Sequence, residues 1–415
     1  MISVEQAEQI ILQRVYPLDP AQDVETLNLL DASGRILAES VTSTLDFPHW
    51  DNSAMDGYAV RYEDVQSCAS DRAITLEIVE EIPAGYQPQR TIQTGQAARI
   101  LTGSVMPIGA DTIVIQEETQ RQGNQVMILA APQPQAFVRH RGNFYQAGAP
   151  LLPARTVLRA TEIAVLAAAQ CAQVKVYRRP RVAILSTGSE LVDVNQPLQP
   201  GQIVDSNQYA LASLVAEIGA VPLRLGIVPD QPAALKQAMA EAIATADVVL
   251  SSGGVSVGDY DYVEEILAEL GAEIHIRAVA IKPGKPLTVA TMQPSSRPHR
   301  PTLYFGLPGN PVSALVTFWR FVQPALRKLS GLPPVAWAPQ LVSARSRGEL
   351  RSDGKRESYL WGQLHLVNGH YEFEVARGSH SSGNLINLAG TSGLAVVPVG
   401  QAAITTGEAV QILPI

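Results

Sequence analysis

The chain has 415 residues, and at roughly 150 residues per domain this length predicts about three domains rather than one compact core. It is 46% hydrophobic and 17% charged, a balance that excludes global disorder. Lys and Arg number 31 against 39 Asp and Glu, a net charge of −8. No diffuse basic field is therefore available for nucleic acid or an anionic membrane, and neither is expected as a partner.

The first ten residues, MISVEQAEQI, carry two glutamates where a signal peptide would be apolar, so export is not expected. The longest nearly uncharged apolar stretch, around 163–172, is about half of what a membrane-spanning helix needs. Cys68 and Cys171 are the two cysteines, which allows neither a disulfide framework nor a CxxC zinc site and fits a reducing cytoplasm. The seven histidines form no HExxH pair.

Ser3 followed by Gln6 has the spacing of a capping box, and Val4, Ala7 and Ile11 recur on one helical face, predicting a short N-terminal helix. From Asn28 to about Ala172 the pattern becomes β-like, with runs at 72–81, 98–103, 111–118 and 124–130 separated by glycine and proline turns. This half reads as mostly sheet, barrel-like in character. At Pro180 the character changes. RVAILS at 181–186 is a continuous apolar run, as expected of a strand buried on both faces.

Amphipathic helices follow around Leu211–Ile218, Leu235–Ile243 and Val263–Leu270, the first and last stopped by Gly219 and Gly271. They alternate with strand-like runs at 223–228, 246–251, 277–281 and 303–307, predicting βαβ crossovers and a mostly parallel, doubly wound sheet. Residues 293–301 read as a Pro- and Ser-rich loop and 332–339 as a linker, after which short strands predict a separate small β domain.

In open α/β sheets ligands bind beyond the carboxyl ends of the strands, so the turns after each predicted strand are the informative ones. The first holds Ser186-Thr187-Gly188-Ser189-Glu190, which by itself reads as helix capping. The second, Ser251 to Asp259 with Ser252, Gly253, Gly254 and Ser256, is rich enough in glycine and serine for backbone N–H groups to cradle a phosphate. It lacks the Walker lysine and GxGxxG spacing. Asp259 and Asp261 follow, and acids beside a phosphate call for a cation such as Mg²⁺.

The third turn, Lys282-Pro283-Gly284-Lys285-Pro286, holds two ammonium groups in a stiff loop and points to an oxyanion or phosphate. The fourth contains Pro308, Gly309, Asn310, Pro311 and Ser313 at the start of a helix that runs on through Trp319. In the β-rich half, residues 48–59 are unusually polar, although Asp56-Gly57 alone would be explained by a hairpin turn.

Together DNSAMDGYA, the STGSEL turn, SSGGVSVGDYDY, AIKPGKP and LPGNPVSA resemble the MoeA family, which includes the E domain of gephyrin, and the resemblance runs through nearly the whole chain in matching order. It implies a multidomain α/β plus β fold. Its parts would be an elongated linker domain from 1–45 and 148–178, an inserted β domain at 46–147, a MogA-like α/β domain at 179–331 and a C-terminal β barrel at 332–415. It also implies a molybdopterin molybdenumtransferase that takes adenylylated molybdopterin and molybdate and releases AMP with Mg²⁺. The implied assembly is a homodimer with a shared cleft, and the implied partners are a MogA-type adenylyltransferase and molybdoenzyme acceptors.

By matching position, Asp56, Thr102, Glu190 and Asp261 take catalytic roles, and Asp230 and Asp261 bind Mg²⁺. Ser252, Gly253, Gly254, Ser256, Lys282, Lys285, Pro308, Asn310, Ser313, Arg356 and Ser382 bind substrate. The chain departs from the family where Asn143-Phe144 replaces a common acidic pair, Ser189 a frequent Asp, and Trp361 a common Arg. The competing readings are a MogA-type adenylyltransferase, a non-catalytic gephyrin-like scaffold, and a generic nucleotide-binding protein.

Overall fold

The computed structural model describes residues 1–69, 71–253, 262–294 and 300–415. The chain divides into two compact units, one comprising Ser40–Ala154 and Ala160–Val174, the other Met1–Glu39, Arg155–Arg159 and Lys175–Ile415. Among the described residues no helix is long and apolar enough to cross a membrane.

The smaller unit is built on a six-stranded sheet in the order Thr112–Ile115, Gly57–Val60, Gln96–Ile100, Ile74–Ile82, Gln125–Ile128, Thr119–Gln122. Its two outermost strands are joined by only Gln116–Glu118, and three residues reach about 10 Å at most. The sheet is therefore curled almost into a barrel, although no pairing closes it among the described residues. Alternation sets its two faces: Tyr58 and Val60 pack with Leu76, Val114 and Val126, whereas Ala59 packs with Ile82, Ile100 and Ile113. The β-like reading of this half is corrected at its end, where Ala160–Ala168 is a helix burying Leu166. An alanine-rich run has high helix propensity, and a short apolar stretch does not by itself announce its period.

In the larger unit the helix Val4–Arg14 begins with the capping box, Ser3 Oγ accepting from the Gln6 N–H at 3.1 Å and Gln6 Oε1 from the Ser3 N–H at 3.0 Å. Val4, Ala7 and Ile11 are its buried stripe. The α/β sheet has the order Val221–Val228, Arg181–Thr187, Val248–Ser252, Thr302–Leu307, Pro286–Met292, Glu273–Ala278. The first four strands are parallel, and Pro286–Met292 runs against both of its neighbours. Leu211, Val215 and Val312 cover one face, Leu235, Met239, Val263 and Leu267 the other, so the sheet is doubly wound.

Two details differ from the sequence reading. Pro286–Met292 was not anticipated as a strand, and the run at 277–281 is not one strand. Glu273–Ala278 ends in the sheet, while Ile281–Lys282 pairs in parallel with Glu357–Ser358 of the C-terminal region. That region closes as a five-stranded barrel, Glu357–Val367, His370–Val375, Val342–Ser346, Ala409–Pro414 and Gly393–Val397, with the last strand pairing back onto the first.

At the amino edge of the α/β sheet Arg178 donates two 2.8 Å bonds to the buried Asp247 and a third to Asp23. Arg300 bridges the same two carboxylates. Burial opposes ionisation of Asp23, but hydrogen bonds from Arg300, the Asp19 backbone and Arg178 bring its pKa down to about 2. Asp247 is likewise held below the ordinary carboxylate range, its burial outweighed by Arg178.

Candidate functional site

At the opposite edge of the sheet the carboxyl ends of the strands open into a cleft of about 950 Å³. Thr187 and Glu190 come from the first loaded turn, Ser252 and Gly253 from the second, and Pro308, Gly309 and Asn310 from the fourth. Asp230, after the strand Val221–Val228, completes the set and accepts the Ser189 N–H at 3.1 Å, which fixes the first turn against the neighbouring one. Gly253 has φ +91°, and a Cβ there would lie 2.3 Å from the Thr187 carbonyl. Only glycine lets these two turns meet. Gly254, Ser256, Asp259 and Asp261 lie outside the described residues.

Two contributors escaped the sequence reading. Asp205 and Asn207 sit after the short strand Ile203–Val204 and line the same cleft. Asp205 is buried and accepts from the Gln208 backbone and side chain, so it is committed to the start of the following helix. Asn207 donates Nδ2 to the Gly309 carbonyl at 2.9 Å and thereby holds the fourth turn. The only available signal was the Asp-Ser-Asn run, which reads equally well as an ordinary helix start. Thr187 Oγ1 and Asn207 Oδ1 are buried with no partner among the described residues, and such groups favour a polar ligand.

The third turn opens into an adjoining cavity of about 490 Å³, for which Pro286 and Asn310 form a common wall with the cleft. Lys282, Lys285, Ser313, Arg356 and Ser382 all line it, together with Arg351, Ser352, Tyr359, Trp361 and His380. Part of the charge of the paired lysines is met within the protein. Lys282 Nζ donates to Asp353 Oδ2 at 3.0 Å, so the protein supplies part of the countercharge. Lys282, the Lys355 backbone and Arg356 hold the Asp353 carboxyl down at about 2. Asp353 lies 71 residues from Lys282 in the chain, and no local pattern could have joined them.

Asp56 and Thr102 meet in the smaller unit. Asp56 Oδ1 accepts the Thr102 N–H at 2.7 Å and the Thr102 hydroxyl at 2.8 Å, and those bonds lower its pKa. Asp56-Gly57 is not a hairpin turn: Gly57 opens the strand Gly57–Val60, where a Cβ would lie 2.1 Å from the Val114 carbonyl. Asn143 and Phe144 belong to the same unit, and Phe144 is exposed.

The cleft's acids other than the committed Asp205 are Glu190 and Asp230, whose carboxylate oxygens are hard donors that suit Mg²⁺ rather than a soft metal. Among the described residues no group of three metal-binding side chains is assembled.

The fold and its site define a multidomain α/β protein whose doubly wound domain carries a polar cleft at the strand tips and abuts a C-terminal β barrel. Family models agree along the chain: the MoeA N-terminal region (domain I and II) matches residues 2–169, a "probable molybdopterin binding domain" residues 183–328, and the MoeA C-terminal region (domain IV) residues 343–415. The chain belongs to the MoeA family. It is 62% identical over 413 residues to a protein named molybdopterin molybdenumtransferase from a Nostoc species, covering 100% of this chain and 94% of the relative. The Haemophilus influenzae protein of the same name is 34% identical, with 94% and 98% covered. Among solved structures, a molybdopterin biosynthesis MoeA protein from Pyrococcus horikoshii matches with TM-score 0.84 and 27% identity over 100% of both chains. The N- and C-terminal matches separate this chain from a MogA-type adenylyltransferase, for which the α/β domain would suffice.

Proposed function

We propose that this chain is a molybdopterin molybdenumtransferase of molybdenum cofactor biosynthesis, inserting molybdate into adenylylated molybdopterin and releasing AMP. The observation that carries the reading is the pairing of two adjoining cavities of opposite chemistry. One is a strand-tip cleft with carboxylates and backbone donors, the other a cavity with four cationic side chains, Lys282, Lys285, Arg351 and Arg356. The shared wall at Asn310 and Pro286 suits a substrate whose phosphate end and metal-accepting end lie side by side.

In this reading Ser252 and Gly253 bind the phosphoanhydride through backbone N–H groups, in company with Gly254 and Ser256. Asp230 and Asp261 would hold Mg²⁺, which when bound neutralises charge at the leaving phosphate. Glu190 acts as a catalytic acidic residue at the phosphoanhydride whose cleavage releases AMP, and Asn310 and Pro308 align the substrate across the wall. Lys282, Lys285, Ser313, Arg356 and Ser382 bind molybdate as a tetrahedral dianion, using charge-assisted hydrogen bonds. Asp56 and Thr102 serve the same reaction across the cleft of a homodimer.

The domain division 1–45 with 148–178, 46–147, 179–331 and 332–415 belongs to this proposal, as do a MogA-type adenylyltransferase as supplier and molybdoenzymes as acceptors. The retained acids and lysines speak against a purely scaffolding role. The test is direct: purified protein given adenylylated molybdopterin, Mg²⁺ and molybdate should release AMP in a molybdate-dependent way. AMP binding without molybdate dependence would overturn the assignment, and a strict monomer at micromolar concentration on sizing chromatography would overturn the shared cleft.

A further inference from the structure

Two residues that line the cationic cavity each carry a buried ring nitrogen with no partner among the described residues. Trp361, in the strand Glu357–Val367, is 1% exposed, and its Nε1 is buried without a partner among the described residues. His380 packs against it with ring centroids 4.6 Å apart and planes tilted by 47°, and its Nδ1 is likewise buried and unpartnered. Both rings line the cavity that holds Lys282, Arg356 and Ser313.

Their positions are fixed by the backbone. The Ala376 N–H donates to the Trp361 carbonyl at 2.9 Å, and the Ala376 carbonyl accepts from His380 Nε2 at 2.8 Å. A carbonyl can only accept, so Nε2 carries a hydrogen. Nδ1 is then a bare lone pair in the neutral ring and an N–H donor in the imidazolium.

We propose that Trp361 and His380 are oxyanion-binding residues of this cavity, the indole Nε1–H and the imidazolium Nδ1–H donating to a bound tetrahedral dianion such as molybdate. The proposal rests on the reading of the cavity given above and adds two ligands and a proton to it. Both orphaned nitrogens acquire an acceptor at once. Lys282, Lys285, Arg351 and Arg356 share the cavity with His380 and oppose its charge, while a dianion offsets them. With Nε2 committed to the Ala376 carbonyl, only the imidazolium form carries a hydrogen on Nδ1 to give to a bound dianion. The other titratable side chain lining this space among the described residues is Tyr359, hydrogen-bonded to Glu357, while Asp353 is paired with Lys282. Histidine is the side-chain type among them that ordinarily changes charge between about pH 6 and about pH 8.

The test is calorimetric titration of the full chain with molybdate alone, from about pH 8 to about pH 6. Affinity should rise as the pH falls, and His380→Gln should flatten that rise. Trp361→Phe keeps an aromatic ring for His380 to pack against but removes the N–H, and should weaken binding about tenfold at every pH with the unfolding midpoint little changed. His380→Gln carries the test alone if Trp361→Phe fails to fold. Unchanged affinity in Trp361→Phe and an unchanged pH profile in His380→Gln, with binding lost in Lys282→Ala, would overturn this proposal and leave the cavity's assignment standing. Binding unaffected in all three variants would overturn both.

Discussion

The two adjoining cavities differ in how their charge is assembled. The strand-tip cleft is made mainly by the successive turns of the α/β domain, with Gly383 and Leu385 added from the C-terminal region, and its side-chain charges are carboxylates. The cationic cavity draws Lys282 and Lys285 from one α/β turn and Arg351, Arg356, Tyr359 and Trp361 from the barrel, with Ile281–Lys282 stitched to Glu357–Ser358 as a shared strand pair. The acid side thus follows from the topology of a parallel sheet, whereas the cation side exists only because two regions distant in sequence fold together. Adenylyl release and oxyanion capture should accordingly respond to different substitutions.

The largest expected effect is on the acid side. Asp261→Asn should slow AMP release by about a hundredfold or more while leaving molybdate binding intact, since charge stabilisation at a reacting phosphate is commonly worth that much. Equal AMP release by variant and parent in a discontinuous nucleotide assay would break the division between the two cavities.

Next comes the scaffold beneath both. Asp247→Asn removes one of the two carboxylates that Arg178 and Arg300 share, leaving their charge only partly compensated by Asp23, and should cost about 3–5 kcal/mol in denaturant unfolding. The same network sets an acid limit. Asp23 has its pKa lowered to about 2, so its stabilisation is fully present above about pH 4 and is lost as the pH falls from there toward about 2. Unfolding midpoints measured across that window should drop in the parent and flatten in Asp23→Asn.

On the cation side, Lys282→Ala should weaken molybdate binding about tenfold or more through loss of a charge-assisted donor. AMP binding, measured separately, should be unaffected, and a parallel loss would merge the two cavities into one. The smallest effect is expected in the smaller unit. Thr102→Val removes one of the two hydrogen bonds that depress Asp56 and should move the Asp56 carboxyl back up toward the ordinary range, read by NMR titration.

Much of this was legible in the chain itself. Ser3 and Gln6 announced their capping box, the run at 181–186 its burial, and Gly219 and Gly271 the ends of two helices, because each signal is local and rests on backbone sterics or periodicity. Ser252, Gly253, Pro308 and Asn310 could be gathered into one cleft from the rule that parallel strands present their tips together, while Glu190 and Asp230 joined them only through the family resemblance. Where the reading failed, two structures competed for the same local pattern. Ala160–Ala168 satisfies helix and strand alike as a short apolar run, and Pro286–Met292 begins with a proline that masks a strand.

Sequence alone therefore determined the order of regions, the alternation of strands and helices and the turns that carry polar groups, since these depend on residues a few positions apart. Tertiary structure alone decided that Asp353 neutralises Lys282, that Asn207 holds the loop at Gly309, that Thr102 grips Asp56, and that Trp361 and His380 pack together beside a cationic cavity. Each of those contacts joins groups distant in the chain. Their partners are selected by where the packed sheet and barrel leave space, which no local pattern of residues encodes.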